Sequence, residues 1–227
     1  MGELAQQHQA DLAHHVRQAR TWLDQANQGT HTVALSYAAL ELRYAIERLA
    51  VHYWRILLNR ALTNEELDRV GQFKFVEHQI YDLAGHQREI DGHFEFGRIY
   101  LGALQIDVPM QTPQINALSR HWHDCSEVCH IGWTLASSAQ ELQATTFAGL
   151  VEIADLLSRH AASLSWLMFH EPALLALRDR FIAGQADAND VVEHMRSGGV
   201  WARVEYPDGR PPQFIGVPIP PEGNRQA

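Results

Sequence analysis

Residues 120–130, with the sequence RHWHDCSEVCH, concentrate the side chains of this chain that are most capable of chemistry. Three histidines, two cysteines, an arginine, an aspartate and a glutamate share eleven positions. Imidazoles act as acids or bases near neutral pH, thiolates and imidazoles bind metal ions, and arginine binds phosphate through paired N–H groups. The segment could therefore be a metal site, a redox pair, a nuclease motif or a packed helix surface.

The pattern predicts a helix from about residue 114 to 131, and an advance of about 100° per residue divides the segment into two sectors. Cys125 and Cys129 fall in an apolar sector with Trp122. We interpret both cysteines as buried packing residues, because their spacing is not C-x-x-C and the sector lacks further metal ligands. The other sector is polar and holds candidate site residues: Arg120, His123, Glu127 and His130. A simpler alternative is a solvated face with Arg120 paired to Glu127.

Glu127 and His130 also match half of the E-x-x-H pattern of carboxylate-bridged di-metal bundles. A second E-x-x-H on another helix is missing from the sequence. A helical-bundle metalloprotein is therefore only an alternative, and we expect no metal site and no cofactor.

A second polar row lies on the most regular predicted helix, residues 33–60. Its members recur at steps of three and four, so they share one helix face. Such a row is commonly solvent-facing, but charged residues inside an apolar helix also line clefts or subunit interfaces. If the bundle places this row opposite the sector of His123 and His130, the two would form a pocket of Arg, His and Glu side chains. Such a pocket suits phosphate or nucleotide. The row consists of Glu41, Tyr44, Arg48, His52 and Arg55.

The elements that must position these residues are predominantly helical. Amphipathic spacing predicts helices over 2–27, 33–60, 114–131, 147–170, 172–183 and 190–196, and two helices joined by a bend within 73–105. Thr63 with Glu66, and Ser138 with Glu141, have capping-box spacing. Two prolines make 107–113 a loop. The helix 33–60 has one core stripe, formed by Leu35, Ala38, Leu42, Ala45, Leu49, Tyr53 and Ile56.

After residue 197 the pattern changes to alternating apolar and polar residues around Pro-Asp-Gly. The predicted fold is therefore all-α: a bundle of five or more helices over residues 1–197, with a short C-terminal β-hairpin-like arm and flexible tail over 198–227. Prolines favour an edge strand or an arm lying on a partner.

Composition limits the function. The net charge of −9 argues against the broad basic surface of a non-specific nucleic-acid-coating protein, although a local arginine patch could still bind RNA or nucleotide. The sequence has no apolar run of membrane-spanning length and a polar N-terminus, so we expect no membrane association and a cytoplasmic location. The two cysteines are expected to be reduced thiols.

Two segments resemble the HEPN superfamily (higher eukaryotes and prokaryotes nucleotide-binding). ALSYAALELRYAIERLAVHYW is similar to the long second helix of many such bacterial proteins, and LSRHWHDCSEVCHIGW is similar to the segment that carries their histidine. The resemblance extends over about residues 5–170. It implies an all-α, commonly dimeric bundle from toxin–antitoxin, antiviral defence or related conflict systems, often a metal-independent ribonuclease with an R-x4-6-H pair.

The sequence departs from that pair. His130 matches the family histidine, but His-Asp-Cys occupies positions 123–125, where the arginine should stand. The one literal match is Arg88-x4-His93, and arginine and histidine are frequent enough in this chain for several such matches to arise by chance. It includes Gly92, so we expect an interrupted segment there rather than a helix that presents both side chains.

Three functions remain open. The first is a HEPN-like binding or regulatory component of a prokaryotic defence or toxin–antitoxin system. It would act as a homodimer that contacts RNA, nucleotide or a cognate partner protein. The second is a metal-independent endoribonuclease with His130 as acid or base and His123 or Arg48 stabilising phosphate charge, and the third is the metalloprotein. In the first function Arg120, Glu127, His52, Arg55 and Glu41 are the accompanying binding residues.

Overall fold

The computed structural model describes residues 2–58, 63–66, 73–107, 109–130, 132–133, 140–163, 169, 171–198, 201–204 and 213–216. Within these ranges, the side chains of residues 2–10, 73–76, 198 and the two strands are left out of the description. The helices are α1 (Gly2–Gln25), α2 (Thr32–Leu58), α3 (Phe73–Ala84), α4 (Gln87–Ala103), α5 (Ile115–Cys129), α6 (Gln140–Ala162), α7 (Pro172–Ile182) and α8 (Ala188–Gly198), with a 3-10 turn at Asn27–Gly29.

Helix α2 is the central element of the bundle because its apolar stripe is fully covered. All seven predicted stripe residues are buried, the most exposed being Ile56 at 2%. Helices α1, α5 and α6 pack around α2. Spacing of three and four residues over seven turns thus predicted both the helix and its buried face.

The turn between α1 and α2 requires glycine at position 29. Gly29 has φ +101°, and a Cβ built there would lie 2.6 Å from the Gln143 carbonyl oxygen. Only glycine combines that backbone conformation with such close contact. The turn therefore brings α6 directly against the end of the α1–α2 hairpin.

The helices enclose two hydrophobic cores that share α4. The larger core lies among α1 to α6 and includes Ile90 and Phe94 from the first half of α4. The smaller core lies among α4, α7 and α8 and includes Phe96 and Tyr100 from the second half. One helix thus changes partners along its length, so a crevice can form where the cores meet.

Several local predictions are confirmed. Thr63 and Glu66 form the reciprocal capping box, with Thr63 N to Glu66 Oε2 at 2.7 Å and Glu66 N to Thr63 Oγ1 at 3.2 Å. The bend within 73–105 lies at residues 85–86, between α3 and α4. Ser138, of the second predicted capping box, lies outside the described residues.

Two boundaries were predicted wrongly. Helix α4 continues through Gly92, where a Cβ would lie 2.9 Å from Ile182 Cγ1. Glycine is therefore present because α7 packs closely, and it does not interrupt the helix. Helix α6 spans Gln140–Ala162 and not 147–170; residues 164–168 and 170 lie outside the described part.

The all-α class is confirmed for the bundle. Two four-residue strands, β1 (Trp201–Val204) and β2 (Gln213–Gly216), pair antiparallel with Trp201 opposite Gly216. The rest of the predicted 198–227 arm lies outside the described residues except residue 198, so its role stays a prediction.

The larger core contains a polar pair that makes stability depend on pH. His160 of α6 is 1% exposed, and its Nδ1 lies 3.5 Å from the Tyr53 hydroxyl of α2. The neutral imidazole accepts from or donates to this hydroxyl according to its tautomer, whereas a protonated ring could only donate. Burial, and secondarily the charge of Arg159, lowers the pKa of His160 to about 4.

We expect this histidine to destabilise the fold in acid. Between about pH 6.5 and pH 4 the unfolded chain binds a proton at residue 160 that the folded chain does not. The free energy of unfolding should therefore fall by roughly 3 kcal/mol as pH drops through this window, and level off below pH 4. Urea unfolding of wild type and His160→Gln from pH 7.5 to 4 tests this, because the variant should show a shallower pH dependence. Equal dependence in both proteins would contradict the assignment.

Candidate phosphate-binding cleft

The polar sector predicted on α5 is a solvated surface. Arg120, His123 and Glu127 are all exposed, and His123 Nε2 lies 3.3 Å from Glu127 Oε1. Glu127 is thus paired with His123, and the predicted pairing with Arg120 is wrong. His130 is also misplaced by the helical wheel, because α5 ends at Cys129 and His130 has extended backbone angles (φ −76°, ψ 141°).

The polar row on α2 is used largely to join α1. Glu41 Oε2 lies 2.7 Å from His15 Nδ1, and Arg48 lies 3.7 Å from Asp11 Oδ2. Further along the row, His52 and Arg55 are buried, at 3% and 6% exposure. The row is therefore mainly a helix–helix contact within the chain.

Helix α5 packs on a different side of α2, through a compact polar cluster. Trp122 Nε1 donates to Glu47 Oε1 at 3.0 Å, and Arg43 Nε donates to the same oxygen at 2.9 Å. The Arg43 guanidinium also lies over the Trp122 ring, with Cζ 5.2 Å from its centroid. Neither Arg48 nor His130 takes part in these contacts, and the pocket expected from the two rows stays a prediction.

The cysteines behave as the helical wheel predicted. Cys125 is fully buried and Cys129 is partly buried against the same core. Burial raises the pKa of both thiols, which disfavours the reactive thiolate. Within the described ranges, no three His, Cys, Asp or Glu side chains group as metal ligands, so Glu127 and His130 have no further ligands there.

A cleft of about 640 Å³ opens where the two cores meet. It lies between the C-terminal end of α2, the N-terminal half of α4 and the C-terminal end of α7. Such a volume falls within the range of about 300–1,000 Å³ that is usual for ligand sites. Its polar lining residues are His86, Arg88, Glu89, His93, Arg178 and Asp179.

The cleft contains one arginine with no carboxylate partner. Glu89 Oε1 is 4.0 Å from His86 Nδ1, and Asp179 Oδ1 accepts from Arg178 Nε at 2.9 Å. Arg88 is exposed and forms no ion pair with the residues that the structure describes. Asp179 is thus paired with Arg178, and the guanidinium of Arg88 is available to an anion.

Two further basic residues of the cleft are buried. Arg178 is 7% exposed and His93 is 2% exposed, yet both line the cleft. The His93 ring packs near Phe169, with centroids 5.4 Å apart. Such packing fixes side-chain positions before a ligand arrives, which lowers the entropy cost of binding.

Sequence reasoning found Arg88 and His93 but rejected them, and it missed Arg178 and His86. The match was set aside because such spacings arise by chance and because Gly92 was expected to interrupt the helix, whereas α4 is continuous from Gln87 to Ala103. The R-x4-H spacing was therefore the available signal. Arg178 gave no local signal, because its place in the cleft follows from the packing of α7 on α4.

None of the described helices combines the length and apolar composition needed to cross a lipid bilayer. Comparison of the chain with protein-family models, with curated proteins and with solved structures gave no match. The function must therefore be argued from the cleft and its side chains.

Proposed function

We propose that this chain is a HEPN-like RNA-binding protein whose cleft holds an RNA phosphate. The observation that carries the proposal is that Arg88 and His93, the one R-x4-6-H pair in the sequence, line the same cleft. Arg178 lines it as well. Two guanidinium groups can surround the non-bridging oxygens of a phosphodiester with charge-assisted hydrogen bonds.

An anionic ligand would bind mainly through Arg88, because it is exposed and forms no ion pair with the described residues. The two lining carboxylates, Glu89 and Asp179, otherwise balance the charge of the two arginines. The cleft also lies at the start of α4, where free backbone N–H groups and the helix dipole favour negative charge. The net charge of −9 would repel RNA elsewhere, so binding should be confined to this site.

The HEPN resemblance suggests the cellular role that this RNA binding would serve. It supports a binding or regulatory role in a prokaryotic defence or toxin–antitoxin system in the cytoplasm, with a homodimer as the working form. Val33, Tyr37 and Tyr44 are exposed large apolar residues spaced four and seven apart on α2. Such a face suits a second copy of the chain, and the C-terminal arm could add to that contact.

RNA binding has a specific salt signature. Labelled single-stranded RNA should bind the wild-type protein in EDTA, and log K should fall against log salt with a slope of about −0.7, as expected for the one phosphate that the cleft holds. Fluorescence anisotropy over a series of salt concentrations measures this. Absence of binding at low salt, or a salt-independent affinity, would contradict the proposal.

The same pair supports a second candidate, a metal-independent endoribonuclease. His93 would accept the proton of a ribose 2′-hydroxyl while the 2′-oxygen attacks the adjacent phosphorus and the P–O5′ bond breaks. Arg88 would stabilise the charge on phosphate, and the 5′-oxygen would leave with a proton from water. The low exposure of His93 favours binding over catalysis, because a reacting imidazole must reach the 2′-oxygen.

Cleavage of labelled RNA in EDTA tests this candidate. His93→Gln should remove the activity, and His78→Gln, at an exposed histidine of α3, should keep it. Loss of activity in His123→Gln or His130→Gln, with His93→Gln active, would return the catalytic role to the α5 segment. Circular dichroism of each variant checks folding.

A further inference from the structure

The cleft has an aromatic wall beside its arginines. Trp54, Leu57 and Leu58 from the last turn of α2 line it opposite the polar residues of α4 and α7. Leu58 is 39% exposed, so this wall is open at its outer end. A phosphate alone would use only the basic side of this cleft.

The indole of Trp54 is fixed in place. Its Nε1 donates to the Gln79 carbonyl oxygen of α3 at 3.0 Å. The His86 ring contacts it edge-on, with centroids 5.7 Å apart and planes at 68°. These contacts hold the ring so that it borders the cleft, and His86 joins the aromatic wall to the basic side.

We infer that the cleft binds single-stranded RNA with one unpaired base packed against Trp54 and the adjoining phosphate at Arg88 and Arg178. This inference rests on the proposed RNA-binding function and names its substrate class. A base in a duplex is stacked between its neighbours and cannot reach an indole, whereas an unpaired base can stack on aromatic side chains. The apolar residues Leu57 and Leu58 extend the surface available to the base.

The experiment compares three RNAs of equal length: a single strand, the same strand with abasic ribose positions, and the duplex. Fluorescence anisotropy gives the affinity of each for the wild-type chain. We expect the single strand to bind roughly tenfold more tightly than the abasic strand, because stacking of one base on an aromatic ring raises the affinity by about that factor. The duplex should bind no better than the abasic strand.

Two variants separate stacking from support of the fold. Trp54→Leu removes the aromatic face and should weaken binding of the intact strand roughly tenfold without changing the abasic strand. Trp54→Phe loses the hydrogen bond to Gln79 but keeps an aromatic face, so it should retain most of the discrimination. Tyr81→Leu, at an exposed aromatic of α3 that does not line the cleft, is the matched control and should behave as wild type.

The outcomes distinguish the inference from the proposed function. Two results for Trp54→Leu would overturn the base site and leave RNA binding intact. One is an equal loss of affinity for the intact and the abasic strand. The other is a preference for the intact strand as large as that of the wild type. Failure of the wild-type chain to bind any of the three RNAs would overturn both. Circular dichroism melting of each variant shows whether a loss comes from unfolding.

Discussion

Replacing both Arg88 and Arg178 with glutamine is expected to weaken binding of single-stranded RNA roughly 100-fold. Each arginine is expected to contribute a charge-assisted contact of about 1.5 kcal/mol, which corresponds to roughly tenfold in affinity. The double substitution should also remove the slope of about −0.7 in log K against log salt that the one bound phosphate contributes. Fluorescence anisotropy at several salt concentrations measures both quantities on the same samples.

The matched control is Arg180→Gln. Arg180 is exposed on α7, two residues from Arg178, and does not line the cleft. It carries the same charge, so its loss changes the net charge of the protein equally. A similar fall in affinity for Arg180→Gln and Arg88→Gln would mean that only overall charge matters, and the cleft would lose its role.

Trp122→Ala is expected to lower the free energy of unfolding by about 3–5 kcal/mol. The indole is 1% exposed, so its removal leaves a cavity between α2 and α5. The substitution also removes the hydrogen bond to Glu47 and the aromatic surface beneath Arg43. Urea denaturation followed by circular dichroism measures the loss.

Trp22→Ala provides the comparison, because Trp22 is only partly buried and stacks on the exposed ring of Tyr37 at 4.8 Å. Trp22→Ala should lower the free energy of unfolding clearly less than Trp122→Ala does. If the two substitutions cost the same, the polar cluster around Glu47 does not join α5 to α2 in the manner described.

The sequence was sufficient to predict α2 and its buried face. Apolar residues such as Leu35, Leu42 and Leu49 recur at helical spacing over many turns. A pattern of that length identifies a helix even where single residues have no strong helix preference. The Thr63–Glu66 capping box was likewise predictable, because its hydrogen bonds lie within four consecutive residues. Local physics was enough in both cases.

The cleft could not be predicted in this way. Gly92 has a low helix propensity, and its reason for being glycine is the side chain of Ile182, ninety positions away. Arg178 joins Arg88 only because α7 folds back onto α4. Contacts between distant helices therefore decided the site, and the spacing of residues along the chain carried no information about them.

The α5 segment differs from its prediction for a similar reason. The helical wheel treated His130 as part of a helix that in fact ends at Cys129. It also could not show that Arg48 would pair with Asp11 of α1. Helix ends and partner helices are set by packing, so the spacing of residues within α5 was not enough to place these side chains.

The position of the cleft explains how side chains of α4 can be fixed by packing and still border a ligand-sized space. Helix α4 belongs to the larger core through Phe94 and to the smaller core through Phe96. Side chains on α4 between the cores, such as His93, are therefore rigid on one side and border open space on the other. Ligand sites are commonly found at such junctions between packed units.

The most direct test of the cleft is to map where RNA contacts the protein. Single-stranded RNA carrying a photoreactive uridine is crosslinked to the wild-type chain, and the modified peptides are identified by mass spectrometry. We predict crosslinks in α4 near residues 86–93, at the end of α2 near Trp54, or in α7 near Arg178. Crosslinks confined to the exposed α5 face around His123 and Glu127 would contradict the cleft as the RNA site.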